Sequence, residues 1–389
     1  MEIWLDNAAT TRCDRAVVSL MERLLTEEYG NPSSAHRMGF HAEQYVREAA
    51  ERIAKILRCK HTEIVFTSGG TESDNLALSG AARANAAKGK RVITSRIEHP
   101  AVRESVRALE KEGFDCVFLP CDHEGILDLC ALEDALTPDT ILVSVMAVNN
   151  EIGSVQPLRE IGARIKEKAP QALFHTDAVQ GFAMVPFDIK KAKIDLMSVS
   201  AHKLHGPKGA GFLYVREGVR LQPVMYGGGQ QNDLRPGTEN VPGIAGMGLA
   251  AELAMRDAQD TRERLYALRA YLCEGLVRDI EGVMVHGAVM KCDREKCAPH
   301  ILSFAIPSVR AEVMLHALED RGIYVSGGSA CASRHPAHSK TLQAIGAKEE
   351  ALESTIRISM SKETTKEEID ITLQAIRELA AMLGKYTRR

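Results

Sequence analysis

Short apolar runs rich in β-branched residues alternate with helix-like segments between residues 63 and 216, and this alternation constrains the fold more than any other feature. It is typical of a mainly parallel sheet with crossover helices. The predicted strands are 63–67, 91–94, 115–119, 140–148, 173–176, 195–200 and 210–215. The predicted helices are 72–87, 100–112, 128–136 and 157–168. We therefore predict an α/β protein built on a mainly parallel seven-stranded sheet.

A change of pattern near residue 280 predicts a second, smaller unit. Amphipathic periodicity over 34–57 indicates one long helix, and 243–280 indicates another. The elements predicted beyond it are strands 283–286, 301–306 and 355–360 and helices 311–321 and 365–383. We predict a large domain at 15–255 and a small α+β domain made of 1–14 and 256–389.

Composition excludes several classes of protein. The 389 residues carry a formal net charge of -3, which disfavours nucleic-acid binding through bulk basicity. Nine cysteines without regular spacing fit a reducing cytoplasm better than a disulfide framework. The start lacks the basic residues of a signal peptide, and no run reaches the ~18 apolar residues of a membrane span. We expect a soluble, cytoplasmic protein.

An apolar strand at 194–200 leads almost directly into Lys203, and turn-forming residues follow at 204–209. A strand end presents the lysine amine to a cleft, where loss of water lowers its pKa and frees the nitrogen for Schiff-base chemistry. A solvated turn lysine is the alternative interpretation, and it suits Lys208 better. Lys203 is therefore our candidate for a catalytic lysine.

Asp177 directly follows the short strand predicted at 173–176. An aspartate in this position is often a helix N-cap. In a pyridoxal phosphate enzyme, however, a carboxylate has to pair with the pyridine nitrogen so that the ring stays protonated and can accept carbanion electron density. A single carboxylate at a strand end meets that requirement.

The segment 67–74, TSGGTESD, follows a predicted strand and opens a predicted helix. Thr71 and Asp74 match a capping box. Free N–H groups at a helix start can also receive a phosphate, and glycines allow it to approach closely. The loop contains no lysine and is not a P-loop, which disfavours nucleotide binding. Together with Lys203, the segment favours a phosphate-bearing cofactor.

Cys331 differs from the other cysteines because it lies in 326–336, a run of small and turn-forming residues. Such flanks predict an accessible thiol rather than a core cysteine. Cys292 and Cys297 lie near His286, but no second ligand pair at a suitable spacing accompanies them. We therefore predict no metal site.

In this order, the elements resemble the pyridoxal-phosphate-dependent cysteine desulfurases of the class-V aminotransferase family, and specifically the long-loop group that serves iron-sulfur cluster assembly and tRNA thiolation. The resemblance covers essentially the whole chain. Further matching motifs are LDNAATT at 5–11, GNPSS at 30–34, EHP at 98–100, NNEIG at 149–153 and RPGTEN at 235–240. It implies a fold-type I transferase that binds pyridoxal 5'-phosphate.

The resemblance also implies roles for matching residues. Lys203 is similar to the Schiff-base lysine, Asp177 to the partner of the pyridine nitrogen, and Gln180 to the partner of the ring hydroxyl. His99 resembles a histidine that stacks on the ring and shuttles protons. The implied phosphate ligands are Gly70, Thr71, Ser200, His202 and, toward the neighbouring subunit, Thr238. The implied ligands of the substrate carboxylate are Asn150, which also lies at the cofactor, and Arg357.

The implied reaction converts L-cysteine to L-alanine. Lys203 removes the Cα proton, and the Cys331 thiolate attacks the substrate sulfur and keeps it as a persulfide. The loop 326–338 then carries the sulfur to an acceptor protein, either an iron-sulfur scaffold or a tRNA-thiolation enzyme. The resemblance further implies a homodimer with shared active sites, and no direct nucleic-acid or membrane partner.

Two stretches depart from the family pattern. Many relatives have an acid and then a proline after the catalytic cysteine, whereas 334–338 reads RHPAH here. The segment 227–231 lacks an acid that is common after its first glutamine. The basic stretch leaves the identity of the sulfur acceptor open, because the loop has to dock there.

Two alternative functions stay open from the sequence. A selenocysteine lyase or an aminotransferase shares the fold, but an aminotransferase needs a keto-acid acceptor and does not need Cys331. A scaffold that relays sulfur through 326–338 without catalysis would not need a cofactor. The products formed from L-cysteine distinguish a desulfurase from these related enzymes. A Schiff-base absorption that borohydride removes would exclude the scaffold.

Overall fold

The computed structural model describes residues 2–287, 293–307, 309–327 and 339–384, and a seven-stranded sheet lies at its centre. Its strands are β2 (Ile64–Thr67), β3 (Arg91–Ser95), β4 (Asp115–Leu119), β5 (Thr140–Ser144), β6 (Leu173–Asp177), β7 (Leu196–Ser200) and β8 (Gly211–Val215). The order is β2-β8-β7-β6-β5-β3-β4, and β8 alone runs antiparallel to its two neighbours. The predicted α/β class and mainly parallel sheet are confirmed.

Helices cover both faces of this sheet, as the crossover pattern requires. They are α1 (Arg15–Thr26), α2 (Arg37–Leu57), α3 (Gly70–Asn85), α4 (Pro100–Lys111), α5 (Leu129–Ala135), α6 (Leu158–Lys168) and α7 (Val241–Arg256). Leu142, Leu173, Leu196 and Leu213 of the strands pack with α3 and α4 on one face. Val143, Phe174, Met197 and Phe212 pack with α2, α6 and α7 on the other face. Burial on both faces accounts for the continuous apolar runs in the sequence.

A second core gathers the C-terminal part of the chain around a four-stranded antiparallel sheet with the order β12-β13-β10-β9. The elements are β9 (Met284–Val285), β10 (Ile301–Ala305), β11 (Ile323–Tyr324), β12 (Ser326–Gly327), β13 (Thr355–Ser359), α8 (Ala258–Asp279), α9 (Ala311–Glu319), α10 (Lys340–Ala344), α11 (Glu349–Ser354) and α12 (Lys366–Leu383). The first strand, β1 (Ile3–Trp4), pairs with β11, and Ile3 and Leu5 join this core. The boundary at residue 255 stays a prediction.

The structure corrects two expectations about helices. The single helix expected over 243–280 is wrong, because the chain breaks between α7 and α8 at Asp257, whose φ is -105° and ψ 10°. The two halves pack into different cores, which a local period cannot reveal. Helix α1 was not predicted, although Asp14 marks its start by accepting a hydrogen bond from the Ala16 N–H at 3.0 Å.

Within the described ranges, no helix combines the length and the apolar character that crossing a membrane demands.

Helices α2 and α7 cross at Gly248, where a Cβ atom would lie 2.7 Å from Cα of Ala49. We expect Gly248→Val to lower the free energy of unfolding by about 1–3 kcal/mol, because the two backbones would have to separate. Met255→Val, two turns later on the exposed side of α7, is the matched control and should change stability by less than about 0.5 kcal/mol. Denaturant titration followed by circular dichroism measures both, and equal midpoints for the two variants would contradict the tight crossing.

Candidate active site

The sheet face under α3 turns from apolar to polar toward the carboxyl ends of its strands. Along β6, Leu173 is followed on the same face by His175 and then Asp177, and on β7 Leu196 is followed by Ser198. Side chains two positions apart share a face of a strand. Carboxyl ends of parallel strands are where α/β proteins bind ligands. The polar layer therefore marks this edge as the candidate site.

Lys203 and Asp177 reach this edge from neighbouring strands. Lys203 ends a 3₁₀ turn that directly follows β7, and its Nζ donates to the carbonyl oxygens of Ala8 and Ala9 at 2.6 and 2.8 Å. Asp177 ends β6 and is buried, and its Oδ1 accepts a hydrogen bond from the Val179 N–H at 2.9 Å. Burial raises the pKa of Asp177, while the charges of His99 and Lys203 act to lower it.

Gln180 is held in place from two sides. Its Nε2 donates to the carbonyl oxygen of Ala8 at 2.9 Å, and its Oε1 lies 3.3 Å from Nε2 of His300. His300 is buried, which lowers its pKa to about 3, and its Nδ1 has no partner among the described residues. The N-terminal segment thus receives hydrogen bonds from both Gln180 and Lys203.

His99 caps α4, and its Nδ1 accepts a hydrogen bond from the Ala101 N–H at 3.2 Å. Burial lowers the pKa of His99, so its ring is mostly neutral near pH 7. Its neighbour Glu98 is buried and receives the Ser95 hydroxyl at 2.6 Å and the Met146 N–H at 3.1 Å on Oε1. Oε2 of Glu98 has no partner in the described parts of the chain, and burial raises the pKa of this carboxyl to about 8.

At the start of α3, two glycines let neighbouring segments lie close to the backbone. Gly69 has a φ of +149°, and a Cβ on Gly70 would lie 2.7 Å from Val179 Cγ2. Ser200 ends β7 next to these glycines, with its Oγ 3.5 Å from the position of a Cβ on Gly69. The capping box expected for Thr71 and Asp74 is wrong, because Gly69 is the N-cap residue and makes no side-chain cap bond. The N–H groups of this helix start are thus left for an anion.

Other predicted phosphate ligands lie on two further segments. His202 contacts Thr10 through Nδ1 and Oγ1 at 3.2 Å, and burial lowers its pKa to about 4. Thr71 is exposed at the start of α3. Thr238 is exposed in the turn before α7. The roles of these three residues stay predictions.

Arg357 is buried in β13 and holds two oxygen partners. Its Nη2 contacts Oδ1 of Asp6 at 2.7 Å, and its Nη1 donates to the carbonyl oxygen of Asn150 at 2.8 Å. Its Nε has no partner within the described structure. The planar guanidinium is the group that binds a carboxylate through two parallel hydrogen bonds. The Asp6 carboxylate occupies one of these hydrogen-bonding positions, Nη2.

Cys331, with the basic stretch 334–338, lies outside the described residues, as does Cys292. On the N-terminal side, the described residues reach β12, where Ser326 pairs with Arg357. On the C-terminal side, the described residues start at Ser339, whose hydroxyl donates to Glu151, and the Thr341 hydroxyl donates to the same carboxylate at 3.0 Å. Both described ends therefore lie beside the turn that carries Asn150.

The described residues fit pyridoxal phosphate. An amine and a buried carboxylate lie at adjacent strand ends, and a glycine-lined helix start lies next to them. A cationic ring nitrogen would supply the opposite charge that a buried carboxylate such as Asp177 requires. Sequence reasoning missed the supporting roles of Asp6, Glu151 and His300, because their contacts join segments far apart in the chain.

Three comparisons place the chain among known proteins. The aminotransferase class-V family model matches residues 3–372. A protein of Dictyoglomus turgidum named cysteine desulfurase IscS is 42% identical over 98% of this chain and 95% of its own length. A solved structure titled NifS-like protein superposes with a TM-score of 0.92 at 38% identity, covering 98% of this chain and all of that one. The structure titled SspA in complex with cysteine gives a TM-score of 0.81 at 32% identity, covering 94% of this chain and all of that one.

Glu98→Gln should weaken the pH dependence of stability. The pKa of Glu98 is about 8 in the folded protein and about 4.3 in an unfolded chain. A raised folded pKa gives stability that is complete below the unfolded pKa and is lost as the pH rises through the folded pKa. Between about pH 6 and about pH 8.5, the native protein should therefore lose about 2 kcal/mol more unfolding free energy than the glutamine variant.

Denaturant titration at the two pH values measures this difference. The matched control is Glu112→Gln, an exposed carboxylate whose pKa Arg83 lowers through a hydrogen bond, so it stays ionised across this interval. The control should keep the native pH dependence. Parallel curves for the native protein and Glu98→Gln would show that Glu98 does not hold a proton in the fold.

Proposed function

Because the chain belongs to the class-V aminotransferase family, whose members are pyridoxal-phosphate-dependent enzymes, we propose that it is a cysteine desulfurase. It converts L-cysteine to L-alanine and keeps the sulfur as a persulfide for transfer. The observation that carries this proposal is that the Lys203 amine and the buried Asp177 carboxylate lie at the ends of adjacent strands.

The comparisons support L-cysteine as the substrate. Relatives 41–43% identical over nearly the whole chain carry the name cysteine desulfurase IscS. A structural neighbour is titled as a complex with cysteine.

Pyridoxal phosphate would be held by residues from several segments. Asp177 would face the ring nitrogen, Gln180 the ring hydroxyl and His99 the ring face. The phosphate would lie at the start of α3 among Gly70, Thr71, Ser200 and His202, with Thr238 of the partner subunit beside it. When bound, the cofactor supplies an electron sink that stabilises negative charge at Cα of the amino acid.

Lys203 holds and moves the proton of the reaction. Its Nζ lies against the carbonyl oxygens of Ala8 and Ala9, which fix the amine at the edge of the sheet. In its neutral form the amine accepts the proton from Cα of the bound amino acid and can return it to the product. His99, which is neutral near pH 7 and would lie at the ring face, can accept or donate a second proton during the reaction.

Arg357 orients the substrate. Its guanidinium takes the substrate carboxylate in place of Asp6, while Nη1 stays on the carbonyl oxygen of Asn150. Fixing the carboxylate aligns the Cα–H bond with Lys203 and so favours loss of that proton.

The Cys331 thiolate attacks the sulfur of L-cysteine. A sulfur–sulfur bond forms, the bond from Cβ to sulfur breaks, and its electron pair stays with the three-carbon fragment, which takes up protons to become alanine. Cys331 then carries a persulfide. An external thiol releases it as sulfide, and an acceptor protein takes the sulfur directly. The acceptor is an iron-sulfur scaffold or a tRNA-thiolation enzyme.

The same proposal includes a homodimer, a cytoplasmic location and the division into domains at 15–255 and at 1–14 with 256–389. Thr238 is exposed on the monomer, which leaves it available to a second subunit. The core that Ile3 and Leu5 share with the C-terminal elements supports assigning the first residues to the small domain.

Cys331→Ser should abolish release of sulfide from L-cysteine, by at least about 100-fold, because serine cannot hold the transferred sulfur. The native protein with L-cysteine and dithiothreitol should give equal yields of alanine and sulfide. Cys130→Ser is the matched control, since that thiol is exposed on α5, and it should keep native yields. Sulfide release at the native rate from Cys331→Ser contradicts the assignment, and transamination products in place of sulfide favour an aminotransferase.

Borohydride reduction followed by peptide mapping should place a pyridoxyl group on Lys203. Lys203→Ala should yield no adduct, because the amine that forms the Schiff base is gone. Lys208→Ala removes an exposed lysine five residues away and should keep the adduct. An adduct on a different lysine, or none in the native protein, would refute the proposed function.

A further inference from the structure

The turn 230–239 is held against the candidate phosphate segment of the same chain, residues 64–72, which comprises β2 and the start of α3. Nε of Arg235 lies 2.8 Å from Oε1 of Glu72, and only 25% and 16% of these two side chains is exposed. Oε2 of Glu72 in turn accepts the Ser68 N–H at 2.7 Å. One carboxylate therefore contacts both the turn and the loop that opens α3.

A second contact between the turn and the candidate phosphate segment passes through Gln231. Its Oε1 accepts the Phe66 N–H of β2 at 2.7 Å, and its Nε2 donates to Oε1 of Glu239, the residue after Thr238. An amide can join these two groups because it carries an acceptor and a donor, whereas a carboxylate carries acceptors alone. The departure from the family pattern after the first glutamine of 227–231 therefore supplies this contact.

The backbone of the turn depends on such contacts. Gln231, Asn232 and Asp233 have φ angles of 49°, 58° and 61°, in the left-handed region that costs L-residues free energy. Backbone of this kind persists where surrounding contacts hold it. The position of Thr238, which is exposed between the two contacts and α7, is therefore set by the candidate phosphate segment of its own chain.

We propose that Arg235 and Gln231 are positioning residues: in each subunit they place Thr238 where it can meet the phosphate in the partner's site. This inference rests on the proposed function, which assigns Thr238 to the phosphate of the neighbouring subunit. A hydroxyl hydrogen bond forms only over a distance of about 2.5–3.0 Å, so a small shift of the turn is enough to lose it. A change at Arg235 of one subunit should therefore weaken cofactor binding in the other subunit.

Heterodimers separate the two sites. One subunit keeps Lys203 and reports binding, while the other carries Lys203→Ala, so borohydride can fix a pyridoxyl group at position 203 of the reporting subunit alone. Different affinity tags on the two subunits allow the mixed dimer to be purified. The holo heterodimer is dialysed against decreasing concentrations of pyridoxal 5'-phosphate, and the labelled fraction of Lys203 after reduction gives the Kd.

Arg235→Gln in the Lys203→Ala subunit should raise the Kd of the reporting subunit at least about 5-fold, and Thr238→Val in the same subunit about 10-fold or more, as for a lost hydrogen bond to a charged group. The two changes together should have no greater effect than Thr238→Val alone, because Arg235 acts through Thr238. Lys60→Gln in that subunit removes an exposed ion pair with Glu217 and is the matched control, which should leave the Kd unchanged.

The outcomes separate this inference from the proposed function. If Thr238→Val raises the Kd and Arg235→Gln does not, or if their effects add, the inference is overturned and the proposed function stands. If neither change in the Lys203→Ala subunit alters the Kd, the inference falls together with the shared active site. Native protein without a borohydride-fixed group on Lys203 refutes the proposed function and the inference with it.

Thermal unfolding identifies an Arg235→Gln subunit that does not fold. In that case Gln231→Leu, which has a similar volume but removes both hydrogen bonds of the amide, takes its place in the Lys203→Ala subunit. It should raise the Kd of the reporting subunit at least about 3-fold, and an unchanged Kd overturns the inference.

Discussion

A carboxylate buried at the end of a central strand is the constraint on which the rest of the site depends. Asp177 can remain charged in that position only if positive charge and hydrogen-bond donors surround it. Lys203 supplies the positive charge and the Val179 N–H a hydrogen bond, and any charge on the His99 ring adds to both; the three groups come from different loops at the same edge of the sheet. The requirement to compensate one charge therefore brings three separate segments together.

The N-terminal residues complete the site although they belong to the other core. Ala8 and Ala9 accept the Lys203 amine through their carbonyl oxygens, Ala8 also accepts from Gln180, and Asp6 pairs with Arg357. The segment follows β1, whose Ile3 packs among the C-terminal elements. The candidate site thus lies where the two cores meet, and each core contributes residues to it.

The sequence allowed much of the fold to be predicted, because parallel strands buried on both faces leave continuous apolar runs between helices. Lys203 and Asp177 could be identified since each follows such a run. The break at Asp257 could not, because both halves are good helices and only packing into separate cores ends the first one. Asp74 matched a capping pattern, and spacing alone does not reveal that its side chain points into the sheet. The pairing of Asp6 with Arg357 joins residues 351 positions apart and leaves no local signal.

The ion pair between Arg357 and Asp6 has a consequence for the start of the chain. Asp6 occupies Nη2 of Arg357, one of the atoms that we propose bind the substrate carboxylate. Trp4, two residues earlier, is the single tryptophan of the sequence, and its indole N–H donates to the Thr10 carbonyl oxygen at 3.2 Å. The one indole of the sequence therefore lies two residues from Asp6, and its emission is a natural probe of whether that side chain leaves Arg357 when a carboxylate is added.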